Sequence, residues 1–507
     1  MKNLKNYILL ALAVVCLGLT SCSKKSKTLE YIPGDADIVA GINAVALLEN
    51  AGCENAGSTV KIAGPLAKLF NMGGSETALM RKFIESESVD LTGVFVIGSF
   101  TGDAYIMASL SDAGKFESFL KEQNLRVEHS GGFNYVRTGD YSPLIAWNDN
   151  IVVSPVSSYK DADKQIIGIN DLLDRAEKGS LADAGWKADL FAEENAAGFF
   201  VACQNLPAIV RTQMQREGDE AIAKLLEGNF CGTLRLDNAK AELIAGIRDK
   251  DGKAVSVEGY GNYNKAIDPA MLKYLNNYDV AMLASGIKGD TPWRELLGAL
   301  GKIYGDQTLG VVYPYLEAID GTVMIGAGPT QGIQSFSCNA SNVSTYWDFV
   351  CAVQLKPGKA QLFTDGIRTL MQTLNPNGTE YEYSEEENTF VASEIPMSSC
   401  EPYEGNGLKI KIPDGPMVYV KPDGNNLVLA TREFTDKGGT PIKADMFSGK
   451  NNAFVMYLPK NSPILTEMNL NFGLKLSMLP KDTEMSMTLE VEDSDKPLLE
   501  TLLSSVL

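Results

Sequence analysis

The chain runs 507 residues and carries 45 Lys+Arg against 64 Asp+Glu, a formal net charge of −19. So acidic a surface repels a phosphate backbone, which argues against nucleic acid as a partner. A hydrophobic fraction of 45% with 21% charged residues is that of a globular chain, long enough for two or more domains.

The first element is an export signal. Lys2 and Lys5 precede an apolar run from Tyr7 to Leu19. That run falls short of the roughly 20 residues a membrane span needs, and it matches a secretory h-region. It ends in Leu19-Thr20-Ser21-Cys22, an apolar residue and two small ones before a cysteine. This resembles the lipobox of bacterial lipoproteins. The resemblance implies removal of residues 1–21, an S-diacylglyceryl group on Cys22 and acylation of its new amino group. Several acyl chains at about 0.8 kcal/mol per buried CH₂ hold a protein stably at a membrane. The polar stretch Ser23 to Thr28 reads as a tether, residues 22–29, with nothing to pack. Nine residues from Cys22 to Tyr31 would let the body start about 30 Å from the lipid. No Asp follows Cys22 and the first acid is Glu30, which points to the outer membrane and to its periplasmic face.

Beyond the tether, the chain reads as α+β: two related halves, 30–270 and 271–507, each with antiparallel sheet and helices on one face. Asp37 to Ile42 is similar to Asp279 to Met282. Gly114-Lys115 after the strand Ala104 to Leu110 matches Gly358-Lys359 after the strand Phe349 to Leu355. Pro143 to Val153 resembles Pro416 to Leu429. Lys187-Ala188-Asp189-Leu190-Phe191 resembles Lys443-Ala444-Asp445-Met446-Phe447, each followed by an apolar strand. Pro269 to Leu272 matches Pro497 to Leu499. The order of these weak matches is what supports a duplication; the rival is two domains sharing generic strand–turn grammar.

Local patterns agree with mixed structure. Asp251-Gly252 reads as a hairpin turn. Asp268-Pro269, Thr291-Pro292 and Asp495-Lys496-Pro497 read as helix starts, with a capping oxygen and proline in the first turn. Met485, Met487, Leu489 and Val491 alternate with polar residues, a strand with those four side chains buried. The apolar helix from Pro497 to Leu507 needs a docking site, expected on its own half.

The chain offers few candidates for catalytic chemistry. The one histidine, His129, precedes Ser130-Gly131-Gly132 and reads as an exposed turn residue, with no Gly-x-Ser-x-Gly elbow beside it. Gly326-Ala327-Gly328-Pro329 spaces its glycines wrongly for a phosphate loop and reads as a turn. Asp249-Lys250-Asp251-Gly252 lacks the later ligands of a calcium loop. The acids Glu380, Glu382 and Glu385 to Glu387 read as a solvated hairpin. Tyr381, Tyr383 and Tyr403 could serve as sugar platforms or as strand packing. Six cysteines lie beyond Cys22, none in C-x-x-C spacing. Cys338 and Cys351 flank a turn-like stretch and could pair across a hairpin; the rest read as buried thiols. No cofactor or metal is expected.

Signal, lipobox, polar segment and Tyr31-Ile32-Pro33-Gly34-Asp35-Ala36-Asp37-Ile38-Val39-Ala40 together resemble a family of Bacteroidetes lipoproteins defined by a domain of unknown function. The strand around Trp147-Asn148-Asp149-Asn150 is similar too. The resemblance implies lipoprotein status and an envelope location, and it transfers no catalytic residue. The expected function is a non-catalytic binding or scaffolding module with a protein or glycan partner in the envelope. The alternatives are a glycan- or peptide-binding lipoprotein serving an outer-membrane importer and a carboxylate-dependent hydrolase.

Overall fold

The computed structural model describes residues 26–57, 59–100, 102–137, 144–156, 161–192, 194–217, 225–256, 264–276, 278, 281–297, 306–329, 347–374, 379–384, 389–394, 399–411, 416–434, 449–460, 462, 465–466, 470–480, 483–492 and 494–506. These form two compact units. One holds the chain up to Gly259 together with Asp482–Leu507; the other is Tyr260–Lys481. Compared with the halves 30–270 and 271–507, the division falls at residue 260 and Asp482–Leu507 belongs to the first unit. No helix among the described residues is long and apolar enough to cross a membrane.

The strands, in chain order, begin with β1 (Ile38–Ile42), the short pair β2 (Glu54–Asn55) and β3 (Val60–Lys61), and β4 (Val89–Gly98). Then come β5 (Tyr105–Leu110), β6 (Glu128–Ser130), β7 (Phe133–Arg137), β8 (Leu144–Trp147) and β9 (Ile151–Pro155). β10 (Ala197–Ala202), β11 (Asn229–Leu236) and β12 (Lys240–Arg248) follow. The second unit contributes β13 (Ala281–Ile287), β14 (Ile319–Pro329), β15 (Trp347–Leu355), and the pair β16 (Thr379–Ser384) and β17 (Thr389–Glu394). It continues with β18 (Ser399–Tyr403), β19 (Gly407–Lys411), β20 (Met417–Asp423), β21 (Asn426–Ala430), β22 (Asn452–Leu458) and β23 (Gly473–Pro480). β24 (Glu484–Glu492) returns to the first unit.

The first unit's sheet is antiparallel throughout, in the order β6-β7-β8-β9-β5-β4-β1-β10-β11-β12-β24. The second runs β18-β19-β20-β21-β15-β14-β13-β22-β23, again antiparallel. In the first, Ala40 of β1 lies between Val96 and Phe199. In the second, Leu283 of β13 lies between Ile325 and Phe454.

Helices cover both faces of the first sheet, where one face was expected. On β8, Ile145 and Trp147 join one core with Phe116 and Phe119 of the helix Ala113–Glu122, while Leu144 and Ala146 join another with Ile166 and Ile169 of the helix Ala162–Lys178. The unbroken apolar run Leu144 to Trp147 carries the reason, since a strand buried on both faces has no polar side to alternate with. The second sheet likewise has two cores: Val350 and Ala352 of β15 face one, Val353 and Leu355 the other.

The segment read as a tether is folded from Ser26 onward. Lys27–Tyr31 forms a 3-10 helix in which Thr28 and Leu29 are fully buried. The Thr28 hydroxyl donates to the Gly93 carbonyl (3.1 Å) and accepts from the Ser109 amide (2.9 Å). A buried hydroxyl costs little once its bonds are made, so polarity did not mean solvation here.

Other local expectations need correction. The final helix, Leu498–Val506, packs Leu499 and Leu503 against the first unit's core, and the Leu499 amide donates to Asn50 Oδ1 (2.9 Å). Its docking site is thus on the first unit. On β24 Met485 is 36% exposed, whereas Ser486 is buried and donates to Glu242 Oε1. Gly326-Ala327-Gly328-Pro329 lies within β14 rather than in a turn. A Cβ at Gly326 would stand 2.3 Å from Leu275 Cδ2, so this glycine lets the 3-10 helix Pro269–Leu275 close on the sheet. Asp251-Gly252 does form a turn, with Asp249 Oδ1 accepting from the amides of Asp251 and Lys253 (both 2.9 Å).

Candidate functional site

A cavity of about 450 Å³ lies in the first unit. Its back wall is the start of β5 and the end of β4; its other wall is the helix Ala162–Lys178. Asp161 caps that helix by accepting from the Lys164 amide at 2.8 Å. Ile166, Ile169, Leu172 and Ala176 recur at helical spacing and are buried on the sheet. Each fully buried Ile or Leu contributes about 1.5–3 kcal/mol, which fixes the helix in place. The neighbouring stripe, Lys164, Ile167, Gly168, Asp171 and Arg175, is thereby turned to the cavity. Ile167 stands at its rim, 58% exposed.

The motif that carried the family resemblance builds the cavity's edge. Ala36 lines it. Asp35 holds Arg175 at 2.7 Å. Asp37 accepts from Ser99 Oγ (2.8 Å), the Phe100 amide (3.1 Å) and Asn205 Nδ2 (2.8 Å). Burial pushes the Asp37 carboxyl up, but those hydrogen bonds and Arg175 outweigh it and hold it below the usual carboxylate range. Lys187 donates to the Gly34 carbonyl (3.2 Å) and lies over the Phe200 ring; burial lowers its pKa against the pull of Asp35 and Asp37.

Tyr105 stands apart from this network. It is 8% exposed, lines the cavity, and its hydroxyl has no hydrogen-bond partner among the described residues. Gly168 makes room for it: a Cβ there would come within 2.6 Å of the phenol oxygen. Burial, with Asp103 and Asp171 nearby, pushes the phenol up to about 12, so it stays a neutral donor and acceptor at any physiological pH.

A smaller cavity of about 90 Å³ in the second unit is lined by Tyr274, Tyr278, Asp423 and Arg432. Its polar groups are spent on one another. Asp423 takes Lys273 and Tyr274 Oη at 2.6 Å each, and Arg432 pairs with the mostly buried Asp348 at 2.6 Å. Tyr403 packs beside it against Tyr419 and Phe434. That arrangement braces the sheet.

The residues singled out from the sequence lie elsewhere. Cys22 and Cys338 are outside the described residues. Cys351 sits in β15 between Ile325 and Leu429, so neither of its cross-strand neighbours is a cysteine. Cys53, Cys203 and Cys231 are buried thiols, with burial raising their pKa, but Cys400 is exposed. His129 is exposed on β6, beside the turn at Gly131 and Gly132. Glu380 and Glu382 lie in the β16–β17 hairpin, while Glu385 to Glu387 fall outside the described residues. No group of His, Cys, Asp or Glu among the described residues could hold a metal. The cavity was missed because its walls come from residues 36, 105 and 168, brought together only by the sheet; the amphipathic run from Ala162 to Lys178 was the one local sign of it.

No family model and no curated protein matches the chain. Among solved structures, the crystal form I structure of TP0453 matches at 9% identity with a TM-score of 0.24, over 43% of this chain and 77% of that one. A likeness of that size carries no argument about fold or function.

Proposed function

We propose that this protein is a lipoprotein anchored in the bacterial envelope through Cys22, on the periplasmic face of the outer membrane, and that its body is a non-catalytic binding module. The cavity beside Tyr105 is its ligand site. One observation carries the reading: Tyr105, 8% exposed, presents to an open cavity of ligand size a hydroxyl that has no partner among the described residues. A core tyrosine ordinarily finds a partner for its hydroxyl. A ligand would supply one here.

The two units are read as products of one duplicated domain. Supporting this, the matched segments fall on strands in the same position of the two sheet orders: β1 with β13, β5 with β15, β8 and β9 with β20 and β21, β10 with β22. The Lys443 to Phe447 half of one match lies outside the described residues. A hydrolase using carboxylates gains no support, since every described carboxylate whose pKa is shifted is shifted down, away from a general acid.

Gly102 lines the cavity with only Ser99 near its missing Cβ, so Gly102→Trp should fill the space without disturbing the fold. Soluble Cys22→Ala protein exposed to an envelope small-molecule extract should carry a bound species in native mass spectrometry. The doubly substituted protein should carry none. Equal adducts in both, or none in either, would remove the cavity from the function.

A further inference from the structure

We infer that the cavity beside Tyr105 takes an organic cation: a primary ammonium or guanidinium group on a short apolar stem, as in a basic amino acid or a basic side chain of a peptide. The inference rests on the binding role proposed above and specifies its ligand.

The charges at the cavity decide the class. Its two basic groups are already paired, Arg175 with Asp35 at 2.7 Å and Lys164 with Asp161 at 3.1 Å. Asp171 projects from the same helix stripe, exposed at the cavity mouth, and has no hydrogen-bond or ion-pair partner among the described residues. Asp103 adds negative charge close enough to act on Tyr105. The free valence of the site is therefore one carboxylate and one neutral phenol. An ammonium has three donors and no acceptor, and a guanidinium five donors. Either could give one proton to Asp171 and another to the phenol oxygen. The walls between these groups are apolar, from Ala36, Ile97 and Leu172, with exposed Ile167 at the rim. They suit methylene groups behind the charged head, as the stem of a long basic side chain lies along apolar surface. An anionic ligand would meet two carboxylates. A neutral sugar would gain nothing from the charge of Asp171. The net charge of −19 on the whole chain favours the approach of a cation as well.

The test is calorimetric titration of the Cys22→Ala protein with Nα-acetyl-lysine amide, Nα-acetyl-arginine amide, the neutral Nα-acetyl-norleucine amide and chitobiose. At least one basic probe should bind saturably, and the norleucine probe at least about tenfold more weakly, the scale of a charge-assisted hydrogen bond. Asp171→Asn should erase that preference. Tyr105→Phe keeps the ring and should weaken the basic probe about fivefold with no loss of thermal midpoint. Equal binding of the lysine and norleucine probes overturns the inference, as does an Asp171→Asn variant that binds unchanged. If no basic probe binds while Gly102→Trp still strips an adduct from extract-treated protein, the cavity keeps its binding role and the cation is wrong. If neither probe nor adduct is seen, both readings fall together.

Discussion

At the scale of single residues, the protein spends polar groups in two opposite ways. Thr28 is fully buried and satisfied, its hydroxyl joining the Gly93 carbonyl to the Ser109 amide across two strands. Thr28→Val would keep the volume and strand both of those backbone groups. The expected cost is about 2–6 kcal/mol, from two buried groups at about 1–3 kcal/mol each. Urea unfolding should show it as a lowered midpoint at constant slope; an unchanged midpoint would mean the 3-10 helix is not held by this bond. Tyr105 is the reverse case, buried and unspent. It and Tyr278, whose phenol burial also pushes up to about 12, should ionise well after the other tyrosines. Their folded values lie above the unfolded value near 10, so folding favours the neutral form. The stability this confers is intact below about pH 10 and is lost as pH rises toward 12. Phenolate absorbance should therefore show a late step that coincides with alkaline unfolding, and Tyr105→Phe should shrink that step. A single step near pH 10 in folded protein would contradict the burial of both phenols.

At the scale of elements, the positions of many strands were legible in the sequence; their order in the sheets and the direction of packing were not. The segments that resemble each other fall on β1, β5, β8, β9 and β10 and on β13, β15, β20, β21 and β22, because strand grammar is local. Which unit each element joins is set by contacts far along the chain. The helix Leu498–Val506 follows the second unit in sequence yet packs on the helices Ala44–Asn50 and Gly64–Met72 of the first unit. Leu498 is 1% exposed there. Gly326 was misread for the same reason: its role is to admit Leu275, which no local pattern announces. A chain ending at Pro497 tests the assignment. Backbone amides of Ala44–Asn50 and Gly64–Met72 should exchange faster with solvent, and those of β13 should not change. Faster exchange confined to the second unit would place the helix wrongly.

At the scale of the whole molecule, the folded N-terminal segment sharpens what an anchor at Cys22 would do. Ser26 is already buried, its hydroxyl against Gly93, so only Ser23, Lys24 and Lys25 separate it from Cys22. Four residue steps reach at most about 14 Å, roughly half the reach of the nine residues from Cys22 to Tyr31. Lys24 and Lys25, the basic residues of an otherwise acidic chain nearest the lipid, would then meet anionic headgroups directly, at about 1 kcal/mol each. Covalent lipid and basic residues contribute separately, which makes the anchor testable in two steps. Cys22→Ala, exported behind an ordinary cleavable secretory signal in place of residues 1–21, should lack the acyl chains and go to the soluble fraction, with no uptake of a labelled fatty acid. Lys24→Gln with Lys25→Gln should leave the lipidated protein in the membrane fraction, because acyl chains outweigh two surface charges. Retention of the Cys22→Ala protein in washed membranes would mean that another surface holds it there, and the proposal of a lipid-tethered body would have to be abandoned.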